Sequence, residues 1–374
     1  MKRFKYHFEP KFGWMNDPNG LIYFNGKYHA FFQHNPKEPK WGPMHWGHAV
    51  SDDLIHWTEL SIALKPDMPY ENSGGCFSGS AVEKDGKLYL FYTSVSEEYG
   101  QTQSVAISED GIEFKKYNGN PIIKHFPVDG SEDFRDPKVS FIDGKYYMVV
   151  GSGKNDIGKV LLYTSENLLE WEYIGVLYEN AKFGKIYECP DFFKLGDHYV
   201  LMFSKMIDDI NKTQFIIGDF DGIKFYPKSF SAPEFGPQFY APQTFLDNKG
   251  RRILIGWFYD WNKKLDKGVD FAGALTIPRK LRVVDGKIRM FPVEEACHLL
   301  STEDELVDVT ENQVILKGAD LRNPLCFEGK VDSVHILRDE KALEVFINNG
   351  EVSYSYWITK GKKKSILSKV FCKN

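Results

Sequence analysis

Along most of the chain, apolar and polar residues alternate in short runs broken by Gly, Asn and Asp. That is the pattern of half-buried strands joined by tight turns. Five aromatic-rich runs stand out: Tyr28–Phe32, Leu88–Tyr92, Tyr146–Val150, Tyr199–Phe203 and Ile253–Trp257. A turn signal precedes each, namely Asn25-Gly26, Asp85-Gly86, Asp143-Gly144, Gly196-Asp197 and Asn248-Lys249-Gly250. Ahead of each turn lies another strand, and it opens on a polar triplet. The triplets are Asn16-Asp17-Pro18, Ser78-Gly79-Ser80, Arg135-Asp136-Pro137, Glu188-Cys189-Pro190 and Tyr240-Ala241-Pro242. Behind each aromatic strand a second signature follows in most units. Ser51-Asp52-Asp53-Leu54, Ser108-Glu109-Asp110-Gly111 and Ser165-Glu166-Asn167-Leu168 match one another, and Gly218-Asp219-Phe220-Asp221 follows loosely. This is a third strand, an acidic turn and a fourth strand begun by an aromatic. The unit returns every roughly 50–60 residues, the spacing of propellers and other repeat architectures. Four antiparallel strands repeated five times predict an all-β protein built on a five-bladed β-propeller.

That architecture decides where chemistry can sit. The first strand of each blade lines the central channel, so five triplets at equivalent positions should surround one mouth. Three of them carry an acid: Asp17, Asp136 and Glu188. One carboxylate beside a proline is an ordinary turn residue, but three at repeat-equivalent positions indicate a shared functional site. From about Met290 the repeat stops. Val334–Leu337, Leu343–Ile347 and Val352–Trp357 alternate again, with a turn at Asn348-Asn349-Gly350. The expected division is a propeller over residues 1–290 and a small sandwich-like β module over 291–374. Ser301–Val309, polar and acidic, reads as a connector.

Composition narrows the partners. Aromatics make up 15% of residues and the formal net charge is −5. Rings suit the lining of concave surfaces, and the charge gives no reason to expect nucleic acid or an anionic membrane. The Lys360–Lys364 run reads as a solvated loop. No apolar stretch follows the basic Met1–Tyr6 segment and none is long enough to span a bilayer, so a cytoplasmic protein is expected. Five scattered cysteines without a C-x-x-C imply neither a disulfide framework nor a zinc site, and free thiols are expected. His45-x-x-His48 lacks a third ligand, and no phosphate-binding or dinucleotide loop is present. Neither metal nor cofactor is expected.

Trp14-Met15-Asn16-Asp17-Pro18-Asn19-Gly20, Phe134-Arg135-Asp136-Pro137 and Tyr187-Glu188-Cys189-Pro190-Asp191 resemble the three signature motifs of glycoside hydrolase family 32. That family comprises invertases, sucrose-6-phosphate hydrolases and fructan-cleaving β-fructosidases. Gln33-His34-Asn35-Pro36, Trp41–His48, Phe77-Ser78-Gly79-Ser80 and Tyr240–Thr244 agree with it, and the likeness runs in order over residues 3–290. It implies a five-bladed propeller followed by a β-sandwich, with the sandwich here shortened. It also implies a retaining β-fructofuranosidase acting on sucrose, sucrose-6-phosphate or short fructo-oligosaccharides. By this resemblance Asp17 is the nucleophile, Glu188 the acid/base and Asp136 the transition-state stabiliser. Arg135, next to Asp136, would offset some of the charge of the three acids and donate hydrogen bonds. The sugar contacts carried over are Trp14, Asn16, Gln33, Trp41, Phe77, Ser78 and Arg135, with Tyr240 and Trp257 added. For Trp257, late in a strand, core packing is an equal alternative, and Cys189 reads as a packed small residue. An inverting arabinoside-cleaving propeller and a non-catalytic sugar-binding propeller are the competing readings. The sheet edges of a shortened module point to self-association.

Overall fold

The computed structural model of the protein describes residues 2–207, 211–259, 261, 268–319 and 324–358. The Lys360–Lys364 run and Cys372 lie outside them. Blade I consists of β1 (Gly13–Phe24), β2 (Lys27–Asn35), β3 (His45–Ser51) and β4 (Trp57–Glu59). Blade II is β5 (Gly75–Lys84), β6 (Lys87–Ser96), β7 (Gly100–Ser108) and β8 (Lys115–Lys116). Blade III is β9 (Phe134–Ile142), β10 (Lys145–Lys154), β11 (Ile157–Ser165) and β12 (Glu172–Glu179). Blade IV is β13 (Tyr187–Leu195), β14 (His198–Lys205), β15 (Thr213–Phe220) and β16 (Phe225–Ser231). Blade V begins with β17 (Tyr240–Leu246) and β18 (Arg252–Trp257). The chain then spends two residues, β19 (Phe271–Ala272), in blade I, and returns as β20 (Arg279–Val284) and β21 (Lys287–Pro292). β19 runs parallel to the start of β1, pairing Gly13 with Phe271 and Trp14 with Ala272. It thereby ties the last blade to the first.

Local chemistry accounts for the regularity. The Asn25-Gly26, Asp85-Gly86 and Asp143-Gly144 turns all have positive φ at both residues. That is the primed geometry whose twist matches the flanking strands. The acidic turns repeat as well. Asp53, Asp110, Asn167 and Asp221 each use one side-chain oxygen to accept two backbone N–H groups just downstream, at 2.7–3.0 Å. The residue after each, Leu54, Gly111, Leu168 or Gly222, takes the left-handed conformation that closes the turn. Between blades the core is apolar and ring-rich. Tyr147, Val149, Phe192 and Leu201 fill the space between blades III and IV, and Phe31, Trp46, Leu90 and Tyr92 that between I and II.

Two three-stranded sheets follow the propeller: β22 (Val307–Thr310), β23 (Gln313–Leu316) and β24 (Leu325–Glu328), then β25 (Val334–Asp339), β26 (Ala342–Ile347) and β27 (Val352–Trp357). They share one apolar core containing Val314, Leu316, Val345 and Tyr356. β22 falls partly inside the segment read from sequence as a connector. A buried ionic network joins the second sheet to the propeller. Arg279 of β20 bonds Glu234 (2.5 Å) and Glu344 (2.8 Å), and its guanidinium lies between the rings of Phe239 and Phe346. His7 bonds Asp339 (3.0 Å) and Glu344 (2.9 Å). The thiols of Cys76, Cys189 and Cys297 are free. Cys326 is disulfide-bonded, which corrects the expectation of free thiols throughout. No helix among the described residues is long and apolar enough to cross a membrane.

Candidate active site

Each inner strand loses register with its neighbour just after it starts. The slips fall between Met15 and Pro18 in β1, Cys76 and Gly79 in β5, Glu188 and Asp191 in β13, and Tyr240 and Gln243 in β17. In β9 the same irregularity falls beside Arg135. Such bulges bend a strand and re-aim its side chains. In three blades the bulge is completed by a non-glycine residue at positive φ: Asp136 (65°), Cys189 (47°) and Ala241 (47°). Left-handed backbone at Cys or Ala is uncommon, and strain of this kind gathers at functional sites. Pro137, Pro190 and Pro242 follow these three residues directly, and Pro18 follows Asp17.

The result is that side chains from all five blades touch one another at one mouth. Asp17 of β1 accepts a hydrogen bond from Ser78 of β5 at 2.6 Å. Asp136 of β9 accepts the Cys189 backbone N–H at 2.8 Å, and its own N–H donates to Thr93 at 3.0 Å. The Cys189 thiol lies 3.7 Å from Asp17 and 3.5 Å from Asp136, spanning the two carboxylates. Glu188 of β13 accepts from Arg135 Nε and Nη2, both at 3.0 Å to Oε1, and from the Tyr240 hydroxyl of β17 at 2.5 Å to Oε2. Asp136 is buried, whereas Asp17 and Glu188 are partly open to the mouth.

Electrostatics follow from this crowding. Burial pushes the Asp17 carboxyl above its ordinary value. Hydrogen bonds from Ser78 and Asn16 pull it back, and the charge of Glu188 adds to the rise. Burial also raises Asp136, to about 7, with Arg135 opposing and the charges of Glu188 and Asp17 assisting. Burial and three adjacent carboxylates push the Cys189 thiol well up, so it stays protonated and is no nucleophile. Cys189 is nevertheless more than a packed small residue, because its N–H and thiol both face the acids. Arg135 offsets charge and donates hydrogen bonds. Its hydrogen bonds go to Glu188, to Asp133 at 2.6 Å and to Gln101 at 3.3 Å, and it acts on Asp136 through charge alone.

The remaining expected residues divide. Trp14 is buried, with its indole N–H on Asn16 Oδ1 at 2.7 Å, and Asn16 in turn bonds Asp17. Trp41 is 49% exposed and meets the Phe77 ring edge-on, with centroids 6.1 Å apart. Gln33 is buried with its amide on the Cys76 carbonyl at 2.9 Å, so it joins β2 to β5 beneath the mouth. Trp257 is fully buried behind Trp14, centroids 5.8 Å apart, and offers no surface to a ligand. This corrects its place among the sugar contacts. Trp261 had no sequence signal, lying outside every repeat, yet it is 50% exposed and stacks on Trp14 at 5.3 Å. His45 bonds the Pro43 carbonyl, while His48 is buried against His29 and Phe31, so the pair does not converge.

Residues 7–292 match the model of the glycosyl hydrolases family 32 N-terminal domain. A sucrose-6-phosphate hydrolase of Zymomonas mobilis is 40% identical over 362 residues, covering 89% of this chain and 69% of its own. A raffinose invertase of Escherichia coli is 42% identical, covering 78% of this chain and 64% of its own. The chain thus spans about two thirds of the length of these curated relatives. Among solved structures, a β-fructofuranosidase of Bombyx mori in complex with sucrose superposes with a TM-score of 0.84 at 32% identity, covering 95% of this chain and 89% of that one.

Proposed function

Because the chain belongs to glycoside hydrolase family 32, we propose that it is a retaining β-fructofuranosidase releasing terminal fructosyl units from sucrose, sucrose-6-phosphate or short fructo-oligosaccharides. The observation that carries this reading is the meeting of three carboxylates from three blades, each with different partners. Asp17, held by Ser78 and Asn16 donors, attacks the anomeric carbon of the fructosyl unit. The bond to the leaving oxygen breaks as that oxygen takes the proton carried by Glu188. In the second half Glu188 removes a proton from water. The water oxygen then bonds to the anomeric carbon and the Asp17 ester oxygen departs. Asp136 accepts hydrogen bonds from fructosyl hydroxyls, which strengthen as positive charge builds in the ring. Trp41, Phe77 and the Trp261 ring stacked on Trp14 supply apolar faces for the sugar, and Tyr240 and Arg135 orient Glu188.

Asp17→Ala and Glu188→Ala test the assignment. Sucrose and short fructo-oligosaccharide hydrolysis should fall by several orders of magnitude, and activity within a few-fold of the parent would overturn it. The anomer first released, followed by NMR, separates retention from an inverting displacement. Binding without turnover would favour a non-catalytic sugar-binding propeller. Specificity constants on sucrose, its 6-phosphate and a short oligofructoside rank the substrates.

Residues 291–374 form, in this reading, a module docked on a propeller of residues 1–290. The module's sheet edges support self-association, and a monomeric mass by light scattering at micromolar concentration would refute that. The free thiols of Cys76, Cys189 and Cys297 support a cytoplasmic setting, and the Cys326 disulfide speaks against it. Activity recovered outside the cell membrane would decide for the latter.

A further inference from the structure

The last strand of the C-terminal sheets ends on Trp357, far in sequence from Asp17, yet a continuous file of rings connects the two. Trp357 is buried. Its indole N–H donates to the Phe258 carbonyl at 3.1 Å and its backbone N–H to Gln238 Oε1 at 3.0 Å. Its ring meets Tyr259 edge-on, with centroids 5.4 Å apart at 73°. Tyr259, also buried, meets Trp14 edge-on at 5.8 Å and 86°. Trp14 donates its indole N–H to Asn16 Oδ1 at 2.7 Å. An amide has one acceptor and one donor end. With the oxygen taken by Trp14, the Asn16 NH2 is the end left for the Asp17 carboxylate.

We propose that Trp357 and Tyr259 are positioning residues for the nucleophile: through Trp14 they fix which end of the Asn16 amide faces Asp17. Displacing Trp14 releases the Asn16 oxygen, so the amide loses its fixed orientation and its NH2 is held less firmly on a carboxylate already crowded by negative charge. The C-terminal sheets are then part of the active site's support and not only of the fold's stability. The inference rests on the reading of Asp17 as nucleophile.

The groups around Asp17 are Ser78 on β5, Asp136 on β9 with Arg135 behind it, Glu188 and the Cys189 thiol on β13, and Tyr240 on β17. Of these only Tyr240 packs on the apolar cluster that holds Trp357, and its hydroxyl reaches Glu188, so a shift confined to the acid limb reports the Asn16 amide. In Trp357→Leu we expect kcat to fall roughly 2- to 30-fold. KM should change little, and the acid limb of the kcat/KM profile should move to higher pH. Trp357→Phe, which keeps a ring, should recover most of both. Tyr354→Leu, in the same strand but within the core between the two sheets, should lower Tm without moving the acid limb. An acid limb in Trp357→Leu that overlays the parent's, or one shifted equally by Tyr354→Leu, would overturn the proposal. If Trp357→Leu does not fold, Tyr259→Leu carries the same expectation and the same refutation. Full activity in Asp17→Ala would instead remove the nucleophile assignment itself.

Discussion

Ser78 and Asp136 show how single residues set the charge state of the mouth. The Ser78 hydroxyl gives Asp17 its shortest hydrogen bond, and bonds to charged groups contribute about 1.5–3 kcal/mol. Ser78→Ala should therefore lower kcat/KM by roughly 10- to 100-fold. Losing a donor that holds the Asp17 carboxyl down should also shift the acid limb upward, which a pH–rate profile reads directly. Asp136 works in the other sense. Its folded-state value of about 7 lies above the ordinary 3.8, so the folded protein holds that proton more tightly than the unfolded chain does. The stabilisation this confers is complete below pH 3.8 and is lost as pH rises through about 7. Asp136→Asn removes the liability and keeps a residue at ease at positive φ. It should abolish turnover while raising Tm by roughly 2–5 °C at pH 8 and by less at pH 4. Equal shifts at both pH values would show that charge repulsion is not the cause. The three acids were legible in sequence from their repeat positions. The partner of Arg135 was not, because adjacency to Asp136 in the chain says nothing about which carboxylate a bulged strand turns it towards.

At the scale of the strand, the bulge beside each triplet is the device that turns acids into the mouth, and Gly79 shows how tightly it is built. A Cβ on Gly79 would lie 1.9 Å from the Phe91 carbonyl oxygen of the neighbouring strand. Gly26 has open space around it and needs glycine only for its φ of 82°. Gly79→Ala should therefore destabilise by more than about 3 kcal/mol, or prevent folding, and displace Ser78. Gly26→Ala should lose only about 1 kcal/mol with activity intact. Urea melts with parallel assays check the contrast, and comparable losses for both would contradict it. Hairpins and acidic turns were readable because their chemistry is local: Asn-Gly and Asp-Gly supply positive φ, and an Asp oxygen reaches N–H groups two and three residues on. The β19 pairing to β1 had no such signal. Two residues in a Gly-flanked loop carry no period, and only ring closure gives them a partner.

The whole molecule is joined by groups that sequence separation hides. His7 is held between Asp339 and Glu344, and these bonds outweigh burial to raise it to about 9. Since that is above its ordinary 6.5, the stability it contributes is fully present below pH 6.5 and lost as pH rises through 9. His7→Gln leaves two buried carboxylates short of a counter-charge and should destabilise by about 3–5 kcal/mol at pH 7. Its Tm should then fall less than the parent's between pH 7 and 10, and an equal fall in both would refute the linkage. Neither His7 nor Glu344 lies in a repeat, so their meeting could be found only in three dimensions. The catalytic account spans the molecule too, since its acids come from three blades. Its most direct test uses Glu188→Gln with a fructoside whose leaving group departs without protonation, followed by acid quench and mass spectrometry of the digested protein. The account predicts a mass increase of one fructosyl residue on the peptide containing Asp17. An adduct on any other residue, or steady release of the inverted anomer with no adduct, would contradict it.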